Sequence, residues 1–275
     1  MTAEDTPSAP RKRGRPRGSA DPDAGAIRAL DRGLDVLGVL AEAGGLTLTG
    51  MAARLGQPTS TLHRVLTTLE RRGMAELDPA TQTWHVGPEA FRVGSAFMRR
   101  SGLVERARPI LRALMERTGE TANLGVARGN LVLFLAQVET HEMIRAFFPP
   151  GTLSPMHASG IGKALLAHRT PAELREIAAE GLERFTPRTR ASLADLSESL
   201  SEVRARGFAL DDEERTPGMR CIAAPVFDLT GAAVAGLSVS GPVNRMSDRR
   251  LAEVAAAVTE AAQDLSRALG APPPA

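Results

Sequence analysis

Two groups of residues in this chain could do chemistry. Ser60, Thr61, His63, Arg64 and Thr67 can all hydrogen-bond to base edges or phosphates, and they share one side of a helix if Leu62, Val65, Leu66 and Leu69 face inward. Ser159-Gly160-Ile161-Gly162 precedes a predicted helix, so its backbone N–H groups and the helix dipole suit a carboxylate. Ser238 and Ser240 lie two apart on a predicted strand and face the same side, either toward a ligand or as strand serines satisfied by backbone. Other chemistry fares worse. Gly160-Ile161-Gly162-Lys163 fails as a phosphate loop, because His157 stands where the first Gly is required and Ala164 where Ser or Thr should bind magnesium. Cys221 with His157 could be a nucleophile and base, but no orienting motif accompanies either. His141, His157 and His168 lack metal-ligand spacing, so neither a metal nor a cofactor is implied.

The first group needs a helix pair to hold it. Leu48, Met51, Ala52 and Leu55 recur on one helix face, Gly56-Gln57-Pro58 interrupts, and the second helix follows, with Pro58 and Thr59 at its start joining the candidate DNA contacts. That is a helix-turn-helix pattern; an ordinary helical hairpin is the alternative. Ile27, Leu30, Leu34 and Leu37 predict an earlier amphipathic helix ending near Gly44-Gly45, the third side of a three-helix core. Thr47 is a plausible N-cap for the second helix. After Gly73, the runs 74–78 and 83–87 flank a turn at 79–82 and predict the hairpin wing of a winged helix.

Residues 1–25 hold almost no large apolar side chain and predict a disordered basic arm. Its Arg13-Gly14-Arg15-Pro16 core resembles an AT-hook, which would place Arg13 and Arg15 in a narrow minor groove; a basic solubilising tail is the alternative. The formal net charge is only +2, but the positive excess lies at this end. The single cysteine excludes a disulfide framework, and no apolar stretch is long enough to span a membrane, so the expected location is cytoplasmic.

Pro88 opens a predicted connecting and dimerising helix with Phe91, Phe97 and Met98. A helix over 103–118, strands over 122–127, 131–138 and 144–148, helices over 161–167, 171–179 and 192–206, strands over 221–227 and 232–240, and a last helix over 248–269 follow. The expected class is α+β, an antiparallel sheet flanked by helices. The expected domains are the arm at 1–25, a winged helix-turn-helix at 26–87, a linker helix at 88–102 and a larger domain at 103–272.

The ordered segments Ser60-Thr61-Leu62-His63-Arg64, Pro155 to Lys163, Asp211-Asp212-Glu213-Glu214, Gly218 to Ala224 and Ser238-Val239-Ser240-Gly241-Pro242 resemble the IclR family of bacterial transcription regulators over about residues 11–270. Several segments, including Gly94-Ser95, Pro109 to Met115, Gly119-Glu120-Thr121 and Met156 to Gly162, are most similar to its acetate operon (glyoxylate bypass) branch. The resemblance implies a GAF-like C-terminal effector-binding domain, a homodimer or dimer of dimers on double-stranded operator DNA, and no enzymatic activity. It also implies a pocket in which Asp211 and Cys221 join Gly160, Ile161, Ser238 and Ser240, with Met143, Ala146 and Met219 as an apolar wall. A small oxo or hydroxy acid such as glyoxylate or pyruvate fits such a pocket; regulation of aromatic-acid or sugar-acid catabolism is the alternative. A cysteine-dependent enzyme using Cys221 is a distant reading, and a DNA-architectural protein would leave the larger domain without a role.

Overall fold

The computed structural model describes residues 27–271, so the 1–25 arm with Arg13 and Arg15 lies outside the described residues. The chain divides into two compact units, with the boundary in the sequence between Ser95 and Ala96.

In the first unit, helices α1 (Arg28–Ala43), α2 (Leu48–Leu55) and α3 (Thr59–Arg71) surround Val36, Leu40, Met51, Leu62 and Leu66. Thr47 caps α2, its hydroxyl accepting the Gly50 N–H at 3.2 Å. Strands β2 (Ala75–Asp78) and β3 (Thr83–Val86) form the expected wing, and a two-residue strand β1 (Leu46–Thr47) adds to β3, with Leu46 opposite the buried Trp84. The stripe expected to bury α1 is the wrong one. Ile27, Leu30 and Leu34 are exposed, and Val36 with Leu40 faces the core. The helix carries apolar residues on two faces, and the i,i+4 pair that meets Met51 and Leu66 is the buried one.

Helix α4 (Pro88–Ser101) starts on Pro88 as expected and leaves Phe91 exposed; the side chains of Phe97 and Met98 lie outside the described residues.

The second unit is built on a six-stranded antiparallel sheet in the order β6-β5-β4-β9-β8-β7. Its strands are β4 (Thr121–Arg128), β5 (Leu131–Val138), β6 (Leu153–Pro155), β7 (Ala209–Asp212), β8 (Met219–Phe227) and β9 (Ala233–Pro242). Helices α5 (Leu103–Thr118) and α9 (Asp248–Ala268) pack on one face, over Ala122, Leu124, Ile222, Ala224, Leu237 and Val239. Helices α6 (Gly160–Leu166), α7 (Pro171–Ala179) and α8 (Leu193–Arg206) belong to a second core that includes Val132, Ile161, Leu166, Leu200 and Ala223. The two-residue period of a strand therefore sends Asn123, Cys221, Ser238 and Ser240 to the face opposite the α5–α9 core.

Three strand expectations change in this unit, since β6 and β7 both lie outside the expected set and one expected run is absent. The run 144–148 is not a strand, because the outer edge of β5 is already used: Phe134 donates to Thr152 O at 3.0 Å and accepts from Gly151 N at 2.8 Å, leading into β6. Strand β7 was not expected, since its Ala-Leu-Asp-Asp sequence hides its alternation behind two acids.

Candidate functional site

Helix α3 presents the first group. Pro58 is its N-cap residue and Thr59 its first residue; Ser60, His63, Arg64 and Thr67 are exposed, and Thr61 is half-buried. The Thr67 hydroxyl donates to His63 O at 2.9 Å, which leaves its oxygen as an acceptor toward the outside. Arg64 has no carboxylate within ion-pair distance among the described residues, so its guanidinium fork is available to a phosphate or guanine edge.

Sheet register assembles the second group. Asp211 on β7 pairs with Cys221 on β8, and Cys221 pairs with Ser240 on β9, forming one row across three strands. The next row on that face aligns Ala223, Ser238 and Asn123. Above it lies the N-terminus of α6, where the Ser159 hydroxyl accepts the Gly162 N–H at 3.0 Å. Gly160 lets the helix approach this closely, because a Cβ there would lie 2.8 Å from the Cys221 sulfur.

These elements enclose a cavity of about 20 Å³, room for a single water. Gly160, Ile161, Asp211, Met219, Cys221, Ser238 and Ser240 all line it. Met143 does not: it is 95% exposed, because the segment around it is irregular loop rather than strand. Ala146 is buried but does not line the cavity either. In place of these two, Phe134 and Phe148, stacked with ring centroids 4.9 Å apart, join Met219 in the apolar wall. Sequence reasoning also missed Arg215, which lines the cavity with its guanidinium 3.9 Å from the Phe185 ring centroid. Its place four residues after Asp211, beside an acid cluster, was the available signal.

The polar floor is a connected network. Gln137 donates to Asn123 Oδ1 at 3.0 Å, and Asn123 Nδ2 donates to both Ser238 and Ser240 hydroxyl oxygens at 3.4 Å. Beside the cavity, buried Lys163 forms an ion pair with Glu214 and donates to Leu210 O at 2.5 Å.

Burial pushes the Asp211 carboxyl up to about 7; Lys163 opposes the rise and Glu214 adds to it. Burial and the Asp211 charge push the Cys221 thiol up to about 11, against hydrogen bonds from Ser240 and Ser238. Cys221 is therefore a protonated thiol at neutral pH, and the His157 ring nitrogen is held by Glu183 O at 2.9 Å. No nucleophile–base pair exists between them.

The Asp211 shift has a measurable consequence. A carboxyl ionising at 3.8 in the unfolded chain and about 7 in the fold binds more protons folded than unfolded between those values. Its contribution to stability is complete below about pH 3.8 and is lost as pH rises through about 7. Asp211→Asn is expected to flatten the fall in urea midpoint between pH 4.5 and 7.5; an unchanged slope would assign that fall to other groups.

Among the described residues no three His, Cys, Asp or Glu side chains form a metal-binding group, and no helix is long and apolar enough to cross a membrane.

Known proteins share both halves. The profile described as the IclR helix-turn-helix domain matches residues 29–79, and that described as the bacterial transcriptional regulator IclR C-terminal region matches residues 95–267. The chain is 66% identical to the HTH-type transcriptional regulator BhcR of Paracoccus denitrificans, over 93% of this chain and 94% of that protein. It is 38% identical to the acetate operon repressor of Salmonella typhimurium, over 95% and 97%. The likeness to the acetate operon branch is thus weaker than that to BhcR. A crystal structure of an IclR homologue from Microbacterium hydrocarbonoxydans, complexed with 4-hydroxybenzoate, superposes with a TM-score of 0.77 at 25% identity, covering 88% of this chain and 98% of that one. These names describe regulators rather than enzymes. With a winged helix-turn-helix at one end, a GAF-like α+β unit at the other and both matched along nearly their whole length, the chain belongs to the IclR family of DNA-binding transcriptional regulators.

Proposed function

We propose that this protein is a repressor whose operator affinity is set by a small organic acid bound beside Asp211. Residues 26–87 form the DNA-reading part, 88–102 the linker and 103–272 the acid-binding part. Two copies, or a pair of dimers, act on an approximately palindromic operator, with Arg13 and Arg15 of the arm in the flanking minor groove. The observation that carries the reading is the convergence of seven candidate residues on one enclosed cavity, in a chain that also exposes the polar face of α3.

The cavity supplies what an oxo or hydroxy acid needs. The first-turn N–H groups of Gly160 and Ile161, which precede any intrahelical acceptor, and the Arg215 guanidinium take the carboxylate. Ser238 and Ser240 take the second oxygen. Asp211, near half-protonated at neutral pH, donates to it instead of repelling it. Room for a single water holds no acid until the walls part, and a two- or three-carbon acid such as glyoxylate or pyruvate asks for the smallest movement. The relative bound to 4-hydroxybenzoate favours the other class, an aromatic acid, and among the known proteins that class has the better support. An aromatic ring would require Phe134, Phe148 and Ile161 to move outward.

Gel-shift titration on the intergenic region upstream of the gene, with glyoxylate, pyruvate, 4-hydroxybenzoate and sugar acids, separates the classes. Failure of every acid to change DNA affinity or thermal stability contradicts the sensor reading. Arg64→Ala is expected to weaken operator binding by about 1–3 kcal/mol with relaxed base preference. Unchanged affinity and preference would remove Arg64 from the interface.

A further inference from the structure

A second cavity, of about 330 Å³, lies between α8, α9 and the far end of β8, and none of its lining residues lines the Asp211 cavity. That volume is within the range of about 300–1,000 Å³ usual for small-molecule sites. Its body is apolar, made by Val203, Ala224, Pro225, Phe227 and Ala262.

Its polar edge carries one sign of charge. His168, Arg204 and Arg267 line it, and among the described residues no Asp or Glu does. Arg267 is paired with Asp264 outside the cavity. Arg204 makes one hydrogen bond, to Ala167 O at 3.1 Å, and has no carboxylate within ion-pair distance among the described residues. The His168 ring has no hydrogen-bond partner among them and stands edge-on to Phe227, centroids 5.0 Å apart. Thr259 and Gln263 add side chains whose polar ends are likewise unpaired among the described residues.

We propose that this cavity is a second ligand site, which takes a monocarboxylate with a flat apolar body: the ring packs against Phe227 and Val203, and the carboxylate lies on the Arg204 fork beside His168. Partial burial and the Arg204 charge hold the His168 imidazole below its usual value, and a bound carboxylate reverses the second of these. His168 is therefore a built-in reporter of occupancy.

Benzoate is the probe. In the full-length protein with isotope-labelled histidine, the His168 resonance, identified by its loss in His168→Gln, is expected to shift saturably with benzoate and to titrate at higher pH. Arg204→Gln is expected to weaken the response at least tenfold, and benzyl alcohol, the same ring without the carboxylate, to bind at least tenfold more weakly to the unaltered protein. Ser238→Ala, which alters the other cavity, leaves the His168 response intact. A His168 signal indifferent to benzoate, an equal response to benzyl alcohol, or loss of the response in Ser238→Ala overturns the proposal.

Discussion

Replacing Lys163 by methionine is expected to destabilise the protein by about 3–5 kcal/mol, the cost of leaving a buried charge without its partner. The Lys163 side chain is 1% exposed and that of Glu214 is 5% exposed. The ammonium holds one carboxylate oxygen of Glu214 and the Leu210 carbonyl, while the other oxygen, Oε2, is buried with no hydrogen-bond partner among the described residues. Removing the ammonium strands that carboxylate in a low-dielectric interior. It also removes the positive charge that restrains the rise at Asp211. The double substitution Lys163→Met with Glu214→Leu takes both charges out of the core and is expected to recover most of the loss, since well-packed apolar pairs match buried ion pairs in stability. Urea midpoints for the three proteins decide it. A cost below about 1 kcal/mol for Lys163→Met, the size of an exposed pair, would mean that water reaches the pair in solution.

Gly162→Ala is the second large effect. A Cβ at this position would lie 2.1 Å from the carbonyl oxygen of Met156 and 2.3 Å from its Cα. Both are backbone atoms of the short 3-10 turn Met156–Ala158, so no side chain can swing aside. The expected loss is about 3 kcal/mol, the upper end of overpacking. Because that turn leads into Ser159, acid affinity should fall as well. Gly38→Ala on α1, where nothing lies within 4 Å of the added carbon, serves as the control and should gain about 0.5–1 kcal/mol. A melting temperature for Gly162→Ala equal to that of the unaltered protein would contradict the packing described between α6 and the turn before it.

Much of this arrangement was legible in the sequence, and the failures have physical causes. The α2–α3 pair, the wing and the long strands carry clear periods, so hydrophobic spacing located them. Helix α1 has apolar residues on two faces, and periodicity alone does not say which face meets Met51 and Leu66. Strand β7 is four residues long and half acidic, yet its register with β8 is what brings Asp211 to Cys221. Ser238 and Ser240 were legible because strand alternation is strict, whereas Met143 was placed by resemblance on a segment that is loop in this chain. Phe134, Phe148 and Arg215 come from three separate segments that only tertiary packing brings to one cavity. Lys163, which completed a false phosphate-loop pattern, is half of the buried ion pair.

On the proposed function, acid binding at Asp211, Ser238 and Ser240 changes the grip of α3 on DNA. Operator affinity, measured with and without glyoxylate and with and without 4-hydroxybenzoate, tests it most directly in the unaltered protein and in the Ser238→Ala, Ser240→Ala double variant. The expected result is an acid-dependent change in Kd for the unaltered protein, and equal DNA affinity without that change for the variant. An unaltered protein indifferent to both acids, or a variant that still responds, would contradict the account.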